Sequence, residues 1–295
     1  MRRLAGGIGV LAVAAVVGAT VAALATAGES EPSATGPESG ADTESAADTG
    51  IDMETTEGTV APPTPNLHWD YQIGGAFPPA AEVRVVSRDR NARPAPRGYN
   101  VCYVNAYQTQ PDERSFWIDN PRRWRLVLKD RSGDPVVDGA WGEFLLDIRT
   151  AAKRSALVGI VGRWVDGCAA DGFDAVEYDN LDSWSRSRGL LTKADNVAFA
   201  RLLTARAHAA GLAAAQKNWA ELSPRGPRLG FDFAVAEECG RWRECRSYAA
   251  AYDDHVLVVE YRRTDFVRAC RGWRDRLSIV LRDRDVTPSG VNRRC

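Results

Sequence analysis

The sequence predicts an α/β protein whose single folded domain, residues 66–295, is a (β/α)8 TIM-barrel-like unit. Three observations lead there. Short apolar runs alternate with amphipathic stretches, the pattern of a parallel α/β fold. Most of those runs are apolar on both faces, as strands covered by helices are. Polar residues gather just after the runs, where a parallel barrel opens its mouth. The alternation alone fits an open doubly wound sheet as well.

Met1-Arg2-Arg3 is a short basic start, and Leu4 to Ala27 carries no charge and ends in Ala25-Thr26-Ala27. That is the layout of an export signal cut after Ala27. An uncleaved anchor is the other reading, since about 20 apolar residues cross a bilayer. Either way the rest is expected outside the cytoplasm, secreted or held at the cell surface. Residues 28–65 hold 9 acids, no Lys or Arg and no aromatic. Such a composition buries too little apolar surface to offset its ordering entropy, and reads as a disordered acidic linker. The chain has net charge −1, but residues 66–295 carry 36 bases and 30 acids, net +6. The bases are spread along the chain, without the clustered footprint of a nucleic-acid binder. A monomer is expected, touching membrane only through the leader if that is retained.

Within the domain, strands are expected at Val83–Val86, Tyr99–Val104, Phe144–Ile148, Phe173–Glu177, Leu212–Gln216, Phe231–Ala236, Val256–Glu260 and Leu277–Leu281. A helix from about Ala151 to Cys168 follows from the stripe Leu157, Val161, Trp164, Val165 and Cys168. Thr192-Lys193-Ala194-Asp195 is a capping box. It opens a second helix whose inward stripe reads as Ala194, Ala198, Leu202, Ala205 and Ala209, with Gly211 at its left-handed end. All six cysteines fall in this domain, an even count that suits disulfides in an exported chain. Cys239 with Cys245 closes a short loop, and Cys270 with Cys295 ties down the C-terminus. Cys102 and Cys168 pair or stay as buried thiols. With three histidines and no C-x2-C, a zinc site is not expected. No cofactor or metal is called for.

Carboxylates collect at the ends of separate strands: Glu177, Asp179 and Asp182, then Glu237 and Glu238, then Glu260, with Lys217-Asn218 between them. The chain has no G-x-S-x-G, no phosphate-binding glycine loop and no dinucleotide fingerprint. Converging carboxyls without those motifs suit acetal cleavage, in which one protonates the departing oxygen and the other attacks or activates water. Nearby aromatics, Tyr103, Tyr107, Trp141, Tyr178, Trp184, Trp219 and Tyr261, are candidates to stack on sugar rings. Any one acid after a strand is as readily a helix cap or an arginine partner; the convergence is what matters. A barrel that binds carbohydrate without cleaving it is the alternative.

Gly172-Phe173-Asp174-Ala175-Val176-Glu177-Tyr178-Asp179-Asn180-Leu181-Asp182 resembles the signature of glycoside hydrolase family 114, the endo-α-1,4-polygalactosaminidase group. Phe231–Cys239, Trp141–Arg149, Val101–Val104, Ala207–Leu212 and Lys217-Asn218 extend the resemblance over nearly all of 66–295. It implies a (β/α)-barrel that hydrolyses α-1,4-linked galactosamine polymer. It implies that Asp179, after the fourth strand, is the nucleophile and Glu237, after the sixth, the general acid/base. Glu177, Asp147, Lys217, Asn218 and Glu260 would line the cleft. Glu177 and Asp179 share a strand face about 6.6 Å apart, so that pair stands as a rival to Asp179 with Glu237. Tyr178 and Ala236 replace the Pro and Asn usual in the family. A polymer of free galactosamine is cationic, so a domain of net +6 needs a locally acidic cleft to attract it.

Overall fold

The computed structural model describes residues 60–295; the expected leader and most of the linker lie outside them. The last linker residues, 60–65, lie against the domain. Ala61 O accepts from Tyr99 Oη at 2.8 Å, and Pro63 O lies 2.9 Å from His255 Nδ1.

Eight strands pair in parallel, in chain order: β1 (Trp69–Tyr71), β2 (Val85–Asp89), β3 (Tyr99–Asn105), β6 (Ala175–Asp179), β7 (Ala213–Lys217), β8 (Phe233–Glu237), β9 (Val256–Glu260) and β10 (Ser278–Arg282). β11 (Asn292–Arg294) adds antiparallel to β10. β10 and β1 close the barrel side by side, bridged by Arg282 Nη1 to Asp70 Oδ1 at 3.4 Å and Asn292 Nδ2 to the same oxygen at 2.8 Å. The fold is a TIM-type barrel, as expected, and not the open doubly wound sheet that the alternation alone also fits.

Side chains alternate across each strand, and both faces are buried. Trp69, Tyr71, Val85, Val101, Ala175, Ala213, Ala215, Phe233, Val235, Leu257, Val259 and Val280 fill the interior. Cys102, Val104, Val176, Tyr178, Ala214, Ala234, Val258 and Ile279 face the outer layer. That layer contains α3 (Ala151–Asp171), α4 (Lys193–Ala209), α6 (Cys245–Ala251) and α7 (Arg263–Trp273), with the short α1 (Arg114–Ile118), α2 (Pro121–Trp124) and α5 (Cys239–Trp242). No described helix is long and apolar enough to cross a membrane.

Both long helices start and stop as their sequences dictate. Thr150 caps α3, and Gly172, at φ 90°, ends it. The Thr192–Asp195 capping box forms at α4. The inward face of α4 is not the predicted one. Phe199, Ala200, Leu203 and Ala207 are buried, whereas Leu202 is 41% exposed. An alanine-rich helix has no sharp apolar stripe, and the bulkier Phe199 and Leu203 decide which face packs.

Two strand expectations need correction. Phe144–Ile148 is not a barrel strand. Only Glu143–Phe144 (β5) pairs, with Val137–Asp138 (β4), and Leu145 and Leu146 make isolated bridges to Gln108 and Val127. The first barrel strand is Trp69–Tyr71, where no strand was expected. The strands expected at 173, 212 and 231 begin one or two residues later and run further, so Asp179, Lys217 and Glu237 are their last residues and do not belong to the loops that follow. Three disulfides form: Cys102–Cys168 pins α3 to β3, Cys239–Cys245 links α5 to α6, and Cys270–Cys295 holds the C-terminus to α7.

Candidate active site

Alternation along the strands aims Tyr71, Tyr103, Glu177, Asp179, Lys217 and Glu237 into the barrel at its C-terminal end, and Tyr261 joins them just past β9. β6, β7 and β8 each leave the sheet through left-handed residues: Asn180 (φ 65°), Asn218 (52°) with Trp219 (59°), and Glu238 (57°). Asparagine adopts that conformation more readily than most residues, and such turns concentrate at functional sites. Each reverses the chain at once, so the last strand side chain stands at the rim.

Lys217 is the centre of the cluster. Its ammonium lies 2.7 Å from Glu177 Oε1, 3.0 Å from Tyr71 Oη, 3.4 Å from Asp179 Oδ1 and 3.8 Å from Glu237 Oε1. The Asp179 and Glu237 oxygens are therefore no further apart than those last two distances laid end to end. Each carboxylate has its own phenol donor. Tyr71 donates to Glu177 at 2.8 Å, Tyr103 to Asp179 Oδ2 at 2.7 Å, and Tyr261 to Glu237 Oε1. Asn218 holds Glu237 from two sides, through Nδ2 to Oε2 at 3.2 Å and by accepting the Glu237 backbone N–H at 2.8 Å. Glu177 and Lys217 are buried, while the Asp179 and Glu237 side chains are 20% and 28% exposed.

Their environments separate the two acids of β6. Burial raises Asp179, but Lys217 and the bonds from Tyr103 and Asn180 outweigh it and hold the carboxyl below its usual range. Burial prevails at Glu177 and pushes it up, even against Lys217. Burial also opposes the charge on Lys217, yet Asp179, Glu177 and Glu237 together raise it well above the usual lysine value. Burial, first of all, raises Tyr71, Tyr103 and Tyr261 well above the ordinary phenol, so all three remain proton donors.

Above the pair is a cleft of about 510 Å3. Asp89, Asp138, Glu143, Asp179, Asp182, Glu237 and Asp285 line it, against Arg186, Lys217 and Arg284. The cleft is thus acidic in a domain of net positive charge. A larger depression, about 880 Å3, lies on the outer wall between residues 76 and 98; prolines and arginines line it, with no carboxylate. No described group of three or more acidic, histidine or cysteine side chains is arranged to hold a metal.

Of the residues expected at the site, Asp179, Glu237, Tyr103, Lys217, Asn218 and Tyr261 line this cleft. Glu177 lies in the same barrel but beneath its floor. Three others are elsewhere. Asp147 is buried with Arg149 and Lys153 in a separate depression, because it follows the β5 hairpin and no barrel strand aims it at the mouth. Glu260 ends β9 on the outward parity and accepts from Gly240 N at 2.6 Å. Trp184 packs on Trp219 at 6.0 Å, beneath Lys193 and away from the cleft. Among the other aromatics, Trp141 reaches the cleft, while Tyr107 and Tyr178 bond to carbonyls of the helical layer. Sequence reasoning missed Tyr71, Asp89, Asp138, Glu143, Arg186, Arg284 and Asp285. Glu143 lay in a quoted motif and Tyr71 in an apolar run too short to register.

A parallel barrel with acidic residues gathered at its C-terminal mouth is an architecture of sugar-cleaving enzymes. The chain belongs to glycoside-hydrolase family GH114, whose model matches residues 52–295. It is a glycoside hydrolase. Among solved structures it is similar to Aspergillus fumigatus Ega3 in complex with galactosamine, at 22% identity and TM-score 0.63, over 79% of this chain and 96% of that one. It is also similar to the glycoside hydrolase domain of PelA from Pseudomonas aeruginosa, at 15% identity and TM-score 0.52, over 76% of this chain and 97% of that one. No curated protein matches.

Proposed function

We propose that this glycosidase is exported and cleaves α-1,4-linked galactosamine-type polysaccharide with retention, Asp179 acting as nucleophile and Glu237 as general acid/base. The observation that carries this reading is the pairing of Asp179 and Glu237 about one ammonium at the cleft floor. Retaining glycosidases space their carboxyls about 5–5.5 Å apart, and inverting ones about 6.5–9.5 Å. The upper bound set through Lys217 admits the retaining spacing and extends into the inverting range; the carboxyl of Asp179, held ionised at the cleft floor, is what favours retention. A depressed Asp179 is ionised and ready to attack the anomeric carbon. Glu237 gives its proton to the departing oxygen, then takes one from the water that releases the sugar from Asp179. Lys217 and Tyr103 hold Asp179 in position, and Tyr261 and Asn218 hold Glu237. Glu177, buried and raised, has no opening to the cleft and serves to orient Lys217.

The acidic lining is what a cationic amino-sugar polymer needs for attraction, and the galactosamine in the Ega3 complex has that chemistry. Three disulfides suit an exported chain. Incubating the full chain with free-amine and N-acetylated α-1,4-galactosamine polymers, and sizing products by mass, tests the reading. Oligomers from the free-amine polymer are expected, with kcat reduced about 10^2–10^4-fold by Asp179→Asn or Glu237→Gln. Near-normal turnover in either variant, or binding without release of oligomers, would contradict it.

A further inference from the structure

The acids of the cleft differ in what holds them. Asp138 pairs with Arg186 at 3.0 Å, Asp182 with the same guanidinium at 2.9 Å, and Asp179 and Glu237 flank Lys217. Glu143 has no ion pair among the described residues, although it is only 8% exposed. Its Oε2 accepts from Asn105 Nδ2 at 3.0 Å and lies 3.5 Å from Asn180 Nδ2. Its Oε1 has no hydrogen-bond partner among the described residues, and the side chain lines the cleft.

The charged groups facing Glu143 are Asp179 at the end of β6, Asp138 on β4, and Arg186 in the turn after β6. Asn105 on β3, Gln108 and Asn180 face it as neutral amides. Asp138 and Asp182 already engage the one guanidinium. A buried carboxyl so surrounded lacks a cation, and a ligand can bring one. Burial, reinforced by Asp179 and Asp138 against Asn105 and Arg186, pushes this carboxyl up to about 7. Hydroxyl and acetamido groups of a sugar bring no charge, whereas a free 2-ammonium group does.

We propose that Glu143 selects the free amino group of the substrate, its Oε1 receiving the ammonium of a sugar ring seated beside Asp179. The inference rests on the reading of this cleft as a galactosamine-polymer site. No covalent bond changes. In mildly acidic solution the bound ammonium displaces the proton that Glu143 carries in the empty cleft, and that proton leaves to solvent.

The test is calorimetric and uses the full chain carrying Glu237→Gln, which blocks cleavage and leaves the Asp179 charge beside Glu143. Free-amine and N-acetylated α-1,4-galactosamine hexamers are titrated at pH 6 in two buffers of different ionisation enthalpy. With Glu143 present, the free-amine hexamer should bind about tenfold or more tightly than its acetylated counterpart and release close to one proton. Adding Glu143→Gln should abolish both the preference and the proton release while the melting transition stays cooperative. Glu143→Asp, which keeps the charge, should retain part of the preference. Equal affinity for the two hexamers, or a preference that survives Glu143→Gln, overturns the proposal. If the unmutated chain cleaves free-amine polymer but Glu143→Gln changes no preference, this inference fails and the glycosidase reading stands. If it cleaves neither polymer while binding still follows Glu143, the substrate reading fails and the ammonium site stands.

Discussion

The barrel wall is covered in two ways. From β3 round to β10, helices α3, α4, α6 and α7 back the strands, and apolar side chains fill the space between. Behind β1 and β2 there is no helix among the described residues. The segments 73–84 and 90–98 cover them, with only a small apolar patch of Val83, Val86 and Ala95 beneath. Buried polar groups do the remaining work. Arg88 donates to Gln72 Oε1 at 2.9 Å and to the carbonyls of Arg93 and Phe77 at 2.8 Å. Arg282 reaches Asp70, Val291 O and Thr287 O. A helix that packs through methyl groups leaves a period in the sequence; a loop stapled by a buried arginine leaves none. The chemistry follows the same divide. Asp179, Lys217 and Glu237 end helix-backed strands, while Tyr71 and Asp89 come from the loop-covered side.

This comparison can be broken by mutation. Arg282→Met should be the most damaging change to the loop-covered side, because it takes the ion-pair partner from the buried Asp70 and leaves that charge only the amide donors Gln72 and Asn292; about 3–5 kcal/mol lost in urea unfolding is expected. An unchanged midpoint would mean that the polar staple carries no stability. On the helical side, Leu203→Ala should cost about 2–5 kcal/mol, and Leu202→Ala on the exposed face less than about 0.5 kcal/mol. Equal costs would return α4 to the face predicted from its alanines.

Smaller effects probe the site. Glu143 is raised from the ordinary glutamate range to about 7 by folding. Between those two values the folded state binds more protons than the unfolded one, so this group lowers stability as pH rises through the window. Glu143→Gln should therefore stabilise the empty protein at pH 8, by at most about 3 kcal/mol, and much less at pH 5. Melting curves at the two values check the sign, and a variant destabilised at pH 8 would contradict it. Tyr103→Phe removes a donor that lowers Asp179. Its kcat/KM should fall about tenfold, and the acid limb of the pH profile should move upward. An acid limb that stays in place would mean Tyr103 does not tune the nucleophile.

Much of the helical side could be read in the sequence. Seven of the eight expected strands exist, because β2, β3 and β6 to β10 are apolar runs set off by turns or helices. The eighth was misplaced for a physical reason. Phe144–Ile148 is apolar because Phe144, Leu145, Leu146 and Ile148 bury into the layer outside the barrel, and apolarity alone does not say which layer a run joins. Trp69–Tyr71 has only three residues with Asp70 between two aromatics; it pairs with β2, and its other edge meets Arg282, 212 residues away. The site divides likewise. Asp179, Lys217 and Glu237 were legible because strand ends in a parallel barrel converge. Glu260 misled because one step of strand parity turns it outward, and Asp147 because its segment is not a strand of the barrel. Glu143, Asp138 and Arg186 reach the cleft on loop excursions whose course no local pattern encodes.

The most direct test of the account is the anomeric configuration of the first product, read by proton NMR during cleavage of a galactosamine oligomer. Attack by Asp179 followed by hydrolysis of the glycosyl-enzyme predicts the α-anomer first, with the β-anomer appearing only by later mutarotation. Initial release of the β-anomer would mean a single displacement by water, and would contradict Asp179 as the nucleophile.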